Sequence, residues 1–426
     1  MSQYSNLISR ILLLMSFQIS LRHNFIKMKK SLLVVLVALL VASACTGKKE
    51  TSKQVLDSLR KVDSLAKIDS VEKAIALNVP KDTALDNTAR FIAGLPQLSN
   101  NSLKALEKDK YWVDFRTQMD TSWKKMYERR LTKMAAWEKD VLSKTVNDSL
   151  KLFYPFSGPD FLHANFLYPR TKEYVMAALE PIREVPALDQ LSEKTRDQFL
   201  DTLGNSLRDI FNKSYFITKH MAKDFGQIKG VLPLFYFFME RSGYELLQQK
   251  FITIDSLGNE QEVEGKKLSD QKTRGVKFVL RNTETKKIKT VYYFSIDISN
   301  DGLAKRKGWV KFVTSRAPFN VFLKSASYCL HDGKTFSTIR SVVVDNAVSV
   351  FQDDTGVPYR FFDKQTQWKG TFFGEYVPPV EDFMRSLYQK ELDSAFKKNA
   401  QPLPFSLGYH WSTRKQHYML FDRVKK

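Results

Sequence analysis

Cysteine is nearly absent from this 426-residue chain: only Cys45 and Cys329 occur, so no disulfide framework supports the fold and its stability must come from packing. Histidine is scarce too, at six residues with no close pair at ligand spacing, which argues against a zinc site; neither metal nor cofactor is expected. The one candidate for a membrane span, Ser31–Ala44, is 14 residues long, whereas a bilayer takes about 20. Catalytic signatures are missing as well. There is no HExxH, GxSxG or Walker A, and no GxGxxG before a helix. Ser-x-x-Lys occurs at Ser58, Ser64, Ser122 and Ser394, but without the SDN and KTG partners it is what a lysine-rich chain gives by chance.

What the chain does have begins at Met28–Cys45, MKKSLLVVLVALLVASAC. Lys29 and Lys30 precede a short apolar run, and the small residues Ala42, Ser43 and Ala44 lead into Cys45, the pattern of an export signal. This ending resembles the lipobox of bacterial lipoproteins, with Ala42 where leucine is commonest. The resemblance implies that residues 1–27 are an upstream extension and 28–44 a cleaved signal peptide. Cys45 would then be the first mature residue, carrying palmitate and holding the protein to a membrane, with Cys329 left as the one thiol. Thr46 lacks the acidic side chain that retains such lipoproteins in the inner membrane. The expected location is therefore the cell envelope, at the outer membrane, facing the periplasm or the surface.

Negative charge is in deficit. The whole chain carries a formal +21, and removing residues 1–44 leaves 62 basic against 46 acidic residues, a net +16. Residues 266–316 hold 14 Lys/Arg against four Asp/Glu and so supply +10 of it. Export and the lack of a nucleic-acid-binding motif exclude nucleic acid as the partner. Anionic lipid, lipopolysaccharide phosphate or acidic glycan fit this basic region instead, beside the alternative of a solvated lysine-rich face with no partner.

After Cys45 a hexapeptide repeats three times, LDSLRK, VDSLAK and IDSVEK over residues 56–73. Apolar residues every third position rotate by about 60° per step on a helix and build no steady face. Residues 45–87 are accordingly expected to be a lipid-anchored, low-complexity spacer, and a single large α+β domain to fill 88–426. Its first part, 88–248, reads helical. Trp123, Tyr127, Leu131, Met134, Trp137 and Val141 keep helical spacing, as do Phe199, Leu203, Leu207, Ile210 and Phe211 after the N-cap Ser192. Val231–Met239 is apolar all round and suits a buried central helix.

From 249 onward the period shifts toward two. KFITID, VKFVLRN, TVYYFSIDI, VPYRFF, KGTFFGEYV, LPFSLGYHW and HYMLFDRV predict strands of a mostly antiparallel sheet. A helix is expected from Pro318 through Leu330, with Cys329 in its core face, and another from Pro379 to about Lys398; Thr335–Phe351 is ambiguous. Helices first and strands later predict an α+β fold, with the helical first half packed on the sheet of the second.

Two stretches concentrate aromatics, prolines and charge: FYPFSGPDFLHANFLYPR at 153–170 and QDDTGVPYRFF at 352–362. With LPLFYFF and LGYHW, they resemble segments of a broad family of exported bacterial proteins of unknown function, so the resemblance implies no activity. Asp160 and His163, three apart, could form an acid–base pair, or Asp160 could cap a short helix and His163 pack beside it. Asp353 and Asp354 could bind a hard cation or hold one raised pKa, or bond the amides of a turn in which Gly356 supplies positive φ. Arg170, Tyr359 and Arg360 are the binding candidates nearest these motifs. The expected function is a lipid-anchored envelope component that binds a ligand or partner, accessory or structural in role. The alternative is a hydrolase acting on an envelope polymer through Asp160, Asp353 or Asp354.

Overall fold

The computed structural model describes residues 78–424 apart from 148, 217–227, 229, 363–366, 382 and 412–414. The signal, Cys45 and the hexapeptide repeats lie outside the described residues. Helix α1 (Thr83–Ile92) is capped by Asp82, whose carboxylate accepts the Leu85 amide, and it buries Phe91 and Ile92. Lys81 bonds both Asp86 and Glu245 at 2.8 Å, and the Asp82 amide donates to the Leu247 carbonyl. The expected boundary at residue 88 therefore falls inside a packed helix, because the anchoring here is polar and leaves no apolar signature.

Helix α2 (Ser102–Leu106) leads to α3 (Lys110–Met126), which continues through a π turn, Tyr127–Leu131, into α4 (Thr132–Trp137) and a second π turn, Glu138–Leu142. The expected apolar face survives in Leu131, Met134 and Trp137, all buried, but Tyr127 is 43% exposed. Each π turn inserts a residue and rotates the helix beyond it. That rotation buries two charges that regular spacing would leave in solvent. Arg130 donates to the Ile210 and Asn212 carbonyls, and Glu138 accepts from Arg170. Trp137 packs against Phe351, Phe373 and Phe405.

Beyond these come β1 (Lys151–Pro155), α5 (Phe161–Leu167), β2 (Glu173–Ala178), α6 (Glu193–Lys213) and α7 (Leu232–Arg241). Ser192 caps α6 as its sequence predicts, and α7 is the expected buried helix, with Phe235, Phe237 and Phe238 fully enclosed. Four strands come next: β3 (Tyr244–Ile254), β4 (Glu260–Val263), β5 (Arg274–Asn282) and β6 (Ile288–Ser295). Helices α8 (Asn300–Ala304) and α9 (Lys307–Thr314) precede β7 (Phe319–Leu323), α10 (Ser337–Asn346) and β8 (Ala347–Gln352). The chain ends on β9 (Trp368–Gly374), α11 (Lys390–Asn399) and β10 (His417–Arg423).

All ten strands form one sheet in the order β4-β3-β5-β6-β2-β1-β7-β8-β10-β9. The fold is α+β, with helices of the first half against one face and eight of the ten strands from the second half. Five of the nine pairings are antiparallel and lie at the flanks; β6-β2-β1-β7-β8 run parallel through the centre. Side chains alternate between two cores. Leu152, Tyr154, Met176 and Phe322 face α1 through α7, whereas Phe153, Val175 and Val321 face α8 through α11.

Several expected elements differ. The helix expected from Pro318 is instead β7, buried on both faces, so that FNVFL shows no period of two. Cys329 sits in a 3-10 turn, half-buried, rather than in a helical core. VPYRFF and LPFSLGYHW form 3-10 turns at Tyr359–Phe361 and Gly408–His410, not strands.

Candidate functional site

In open sheets with parallel strands, ligands bind beyond the carboxyl ends of the strands, where neighbouring connections depart in opposite directions. Here that point lies between β1 and β7. The chain leaves β1 through α5 toward β2 on one side, and leaves β7 through α10 toward β8 on the other. A cavity of about 240 Å³ opens there. Ser157 and Gly158 after β1, Glu180 after β2, Asp297 after β6 and Lys324–Ser327 after β7 line it, together with Cys329 and Tyr409.

The backbone is strained around this cavity. Six described non-glycine residues have positive φ, and five border it or its floor: Phe156 at 60°, Ser214 at 69°, Ser325 at 54°, Ser327 at 53° and Tyr328 at 57°. Each such conformation costs about 1–3 kcal/mol and persists where the surroundings over-determine it, most often at functional sites. Two hydroxyls add to the pattern. Ser157 and Ser325 line the cavity, and their hydroxyl oxygens are shielded from solvent with no hydrogen-bond partner.

Beneath the cavity lies a buried ionic cluster. Asp160 caps α5, accepting the His163 amide, and its Oδ1 lies 2.7 Å from His163 Nδ1. Its Oδ2 accepts from Tyr154 and sits 2.5 Å from Lys324 Nζ. Lys324 Nζ also donates to the Ser214 carbonyl at 2.5 Å and lies 3.2 Å from His163 Nδ1. Burial pushes the Asp160 carboxyl up, but the His163 ring and the Lys324 ammonium more than offset it and hold it low. Burial lowers His163 to about 4, so its ring is neutral at pH 7. The cap and the acid–base pairing thus describe one arrangement. His163 Nε2, however, is buried with no partner, so among the described residues no nucleophile stands where a catalytic triad would need one.

Asp353 and Asp354 end β8. Asp353 Oδ1 accepts the Thr355 amide and hydroxyl, and its Oδ2 accepts the Ser325 amide at 2.9 Å, tying the β8 loop to the β7 loop. Burial and the neighbouring Asp354 push its carboxyl up to about 6. Asp354 Oδ2 accepts the Tyr328 hydroxyl. Gly356 does not have positive φ; a Cβ there would lie 2.4 Å from Gln352 Oε1, so close approach is what requires glycine.

The fold also assembles a trio that sequence spacing conceals. Ligand atoms of Asp354, His410 and His417 lie within 4.8 Å of one another, all buried. Asp354 Oδ1 and His417 Nε2 are 2.9 Å apart, off the line of a well-directed hydrogen bond. The Val377 amide donates to His417 Nδ1 at 3.1 Å, so in the neutral ring the proton resides on Nε2. A metal-ligating histidine donates its other ring N–H to a neighbour. His417 does the reverse, and the trio does not fit a divalent cation.

The three binding candidates do not converge on the cavity. Arg170 bonds Glu138 near the amino ends of the strands. Tyr359 packs on Phe372 and Phe421 on the opposite core, and Arg360 stacks over Phe361. Lys324, Ser325 and Tyr409 are the residues sequence reasoning missed. Ser157 and Gly158 carried a signal inside the SGPD turn, and Tyr409 lay within LGYHW, but nothing in either stretch linked them to each other or to Lys324. Among the described residues no helix is long and apolar enough to cross a membrane. Comparison with known proteins gives no match to this chain, whether among family models, curated proteins or solved structures.

Proposed function

We propose that this protein is a lipid-anchored component of the cell envelope, and that its folded part binds a small molecule in the cavity between the β1 and β7 ends. The observation that carries the binding reading is the coincidence there of three left-handed non-glycine lining residues, Phe156, Ser325 and Ser327, flanked by two more at Ser214 and Tyr328, with two shielded, unpartnered hydroxyls. Strained loops and unsatisfied polar atoms are both costly. Their concentration in one concave place, at a topological switch point, is what a preformed ligand site requires. The envelope location rests on Met28–Cys45 and its lipobox resemblance.

The hydrolase alternative through Asp160, Asp353 or Asp354 needs one of these three carboxyls to reach substrate. Asp160, Asp353 and Asp354 are each at most 4% exposed, and none lines the cavity. The oxygens of Asp160 and Asp353 are taken up by His163, Tyr154, Lys324, Ser325 and Thr355, and Asp354 Oδ2 by Tyr328. Binding without turnover is the better-supported reading.

Cys329 lines the cavity and offers a direct test. With Cys45→Ser in the full-length chain, Cys329 is the single thiol. Small molecules that raise the melting temperature should also slow its alkylation by a maleimide, and Ser157→Val should abolish both effects. Stabilising molecules that leave the alkylation rate unchanged would place binding elsewhere and overturn the proposal.

A further inference from the structure

The chemistry facing the cavity narrows the ligand class. Its positive groups are already occupied. Among the described residues Lys324 is the one Lys or Arg in the lining, and its ammonium has three neighbours within the protein: Asp160, the Ser214 carbonyl and His163. Two of the β7-loop amides, which in a left-handed loop form an anion-binding nest, are filled as well. The Ser325 N–H donates to the Asp353 carboxylate and the Ala326 N–H to Thr355 Oγ1. An anionic ligand at Lys324 or at the Ser325 amide would have to displace the carboxylate of Asp160 or Asp353.

The wall also carries negative and aromatic groups, among which Glu180 is engaged by the Tyr293 hydroxyl. Asp297, exposed after β6, and Glu180, after β2, both line the cavity. Asp297 Oδ1 accepts the Ser299 amide, which leaves its charge in place. Two edge-to-face ring pairs form other parts of the wall: Phe156 with Phe336 at 5.8 Å, and Tyr215 with Tyr409 at 4.9 Å. Aromatic faces attract cations, and more strongly where water is excluded. The volume of about 240 Å³ suits a body of roughly one ring.

We infer that the cavity takes a small organic cation, a protonated amine on a compact apolar body, held by Asp297 and the ring faces with a Ser157 or Ser325 hydroxyl as polar partner. This rests on the binding reading above and adds the sign of the charge to it.

Three near-isosteric probes separate the two claims: benzylammonium, benzyl alcohol and benzoate, titrated into the full-length Cys45→Ser chain with Cys329 alkylation as readout. Benzylammonium should protect Cys329 at concentrations about tenfold lower than either other probe, the factor expected of one cation–π contact plus a partly exposed ion pair. Asp297→Asn lies on the surface, so the fold should be kept, and the preference for the amine should largely vanish. Equal or better protection by benzyl alcohol or benzoate would overturn the charge inference while leaving the cavity a binding site. Protection by none of the three would overturn both.

Discussion

At the scale of single residues, Asp160 separates a local role from a tertiary one. As a helix cap alone, its loss would cost about 1 kcal/mol. Asp160 is also the carboxylate beside a Lys324 that is 3% exposed, and removing one partner of a buried ion pair costs about 3–5 kcal/mol because the other charge is stranded. Asp160→Asn should therefore lower unfolding free energy in urea by about 3–5 kcal/mol, and adding Lys324→Met should recover much of the loss. A loss near 1 kcal/mol would mean that capping is all Asp160 does. Asp422 makes the opposite case. Burial pushes its carboxyl up to about 7, with Lys369 opposing only weakly. The folded state therefore holds a proton that the unfolded chain releases near pH 4, and stability from this group falls as pH rises from about 4 to about 7. Asp422→Asn avoids the buried charge. It should stabilise by about 2 kcal/mol at pH 8, allowing for partial exposure, and by almost nothing at pH 4; equal gains at both pH values would count against the assignment.

Among the elements, the β5–β6 hairpin and the β7 loop use the same strained backbone for different ends. Lys286, at φ 60° in the hairpin turn, is the one described left-handed non-glycine residue away from the cavity. Its amide donates to the Asn282 carbonyl, and its ammonium makes one solvent-exposed bond to the Thr283 carbonyl at 2.6 Å, which adds little in water. Lys286→Gly should stabilise the protein by about 1 kcal/mol in thermal or chemical unfolding, and leave Cys329 protection by ligands unchanged. The π turns that interrupt α3 and α4 show how much of an element can escape sequence reading. Helical spacing was legible from Trp123 to Val141, but the inserted residues that bury Arg130 and Glu138 answer to partners at the end of α6 and at Arg170. A periodicity argument sees only one chain segment at a time. The same blindness turned β7 into an expected helix, since a strand enclosed on both faces has no polar side to mark it.

For the whole molecule, we propose that attachment through Cys45 is separable from folding. Cys45→Ser should abolish palmitate labelling and release the protein from membranes while its melting temperature stays the same; continued labelling would exclude Cys45 as the anchor. Deleting residues 50–75 should likewise leave the melting temperature unchanged, because the first described contacts of the fold begin at Pro80 and Lys81. A large drop would show that the repeats pack onto the domain. The basic stretch 266–316 is partly neutralised within the fold, by Lys277 with Glu260, Arg281 with Glu245 and Arg316 with Glu173. Those pairs reduce the charge available to an anionic partner below the +10 that the sequence displays.

Local features were determined by the sequence itself: the α+β class, the buried α7, the Ser192 and Asp160 caps, and strands β3, β5, β6, β9 and β10. Each depends on period, capping or turn chemistry, which act between residues a few positions apart. The parallel centre of the sheet, the cavity at its carboxyl ends and the cluster beneath it were decided by tertiary structure. Lys324 meets Asp160 across 164 positions, and Asp354 meets His417 across 63. Such pairs depend on strand order and register, and strand order is fixed only when all ten strands compete for neighbours at once.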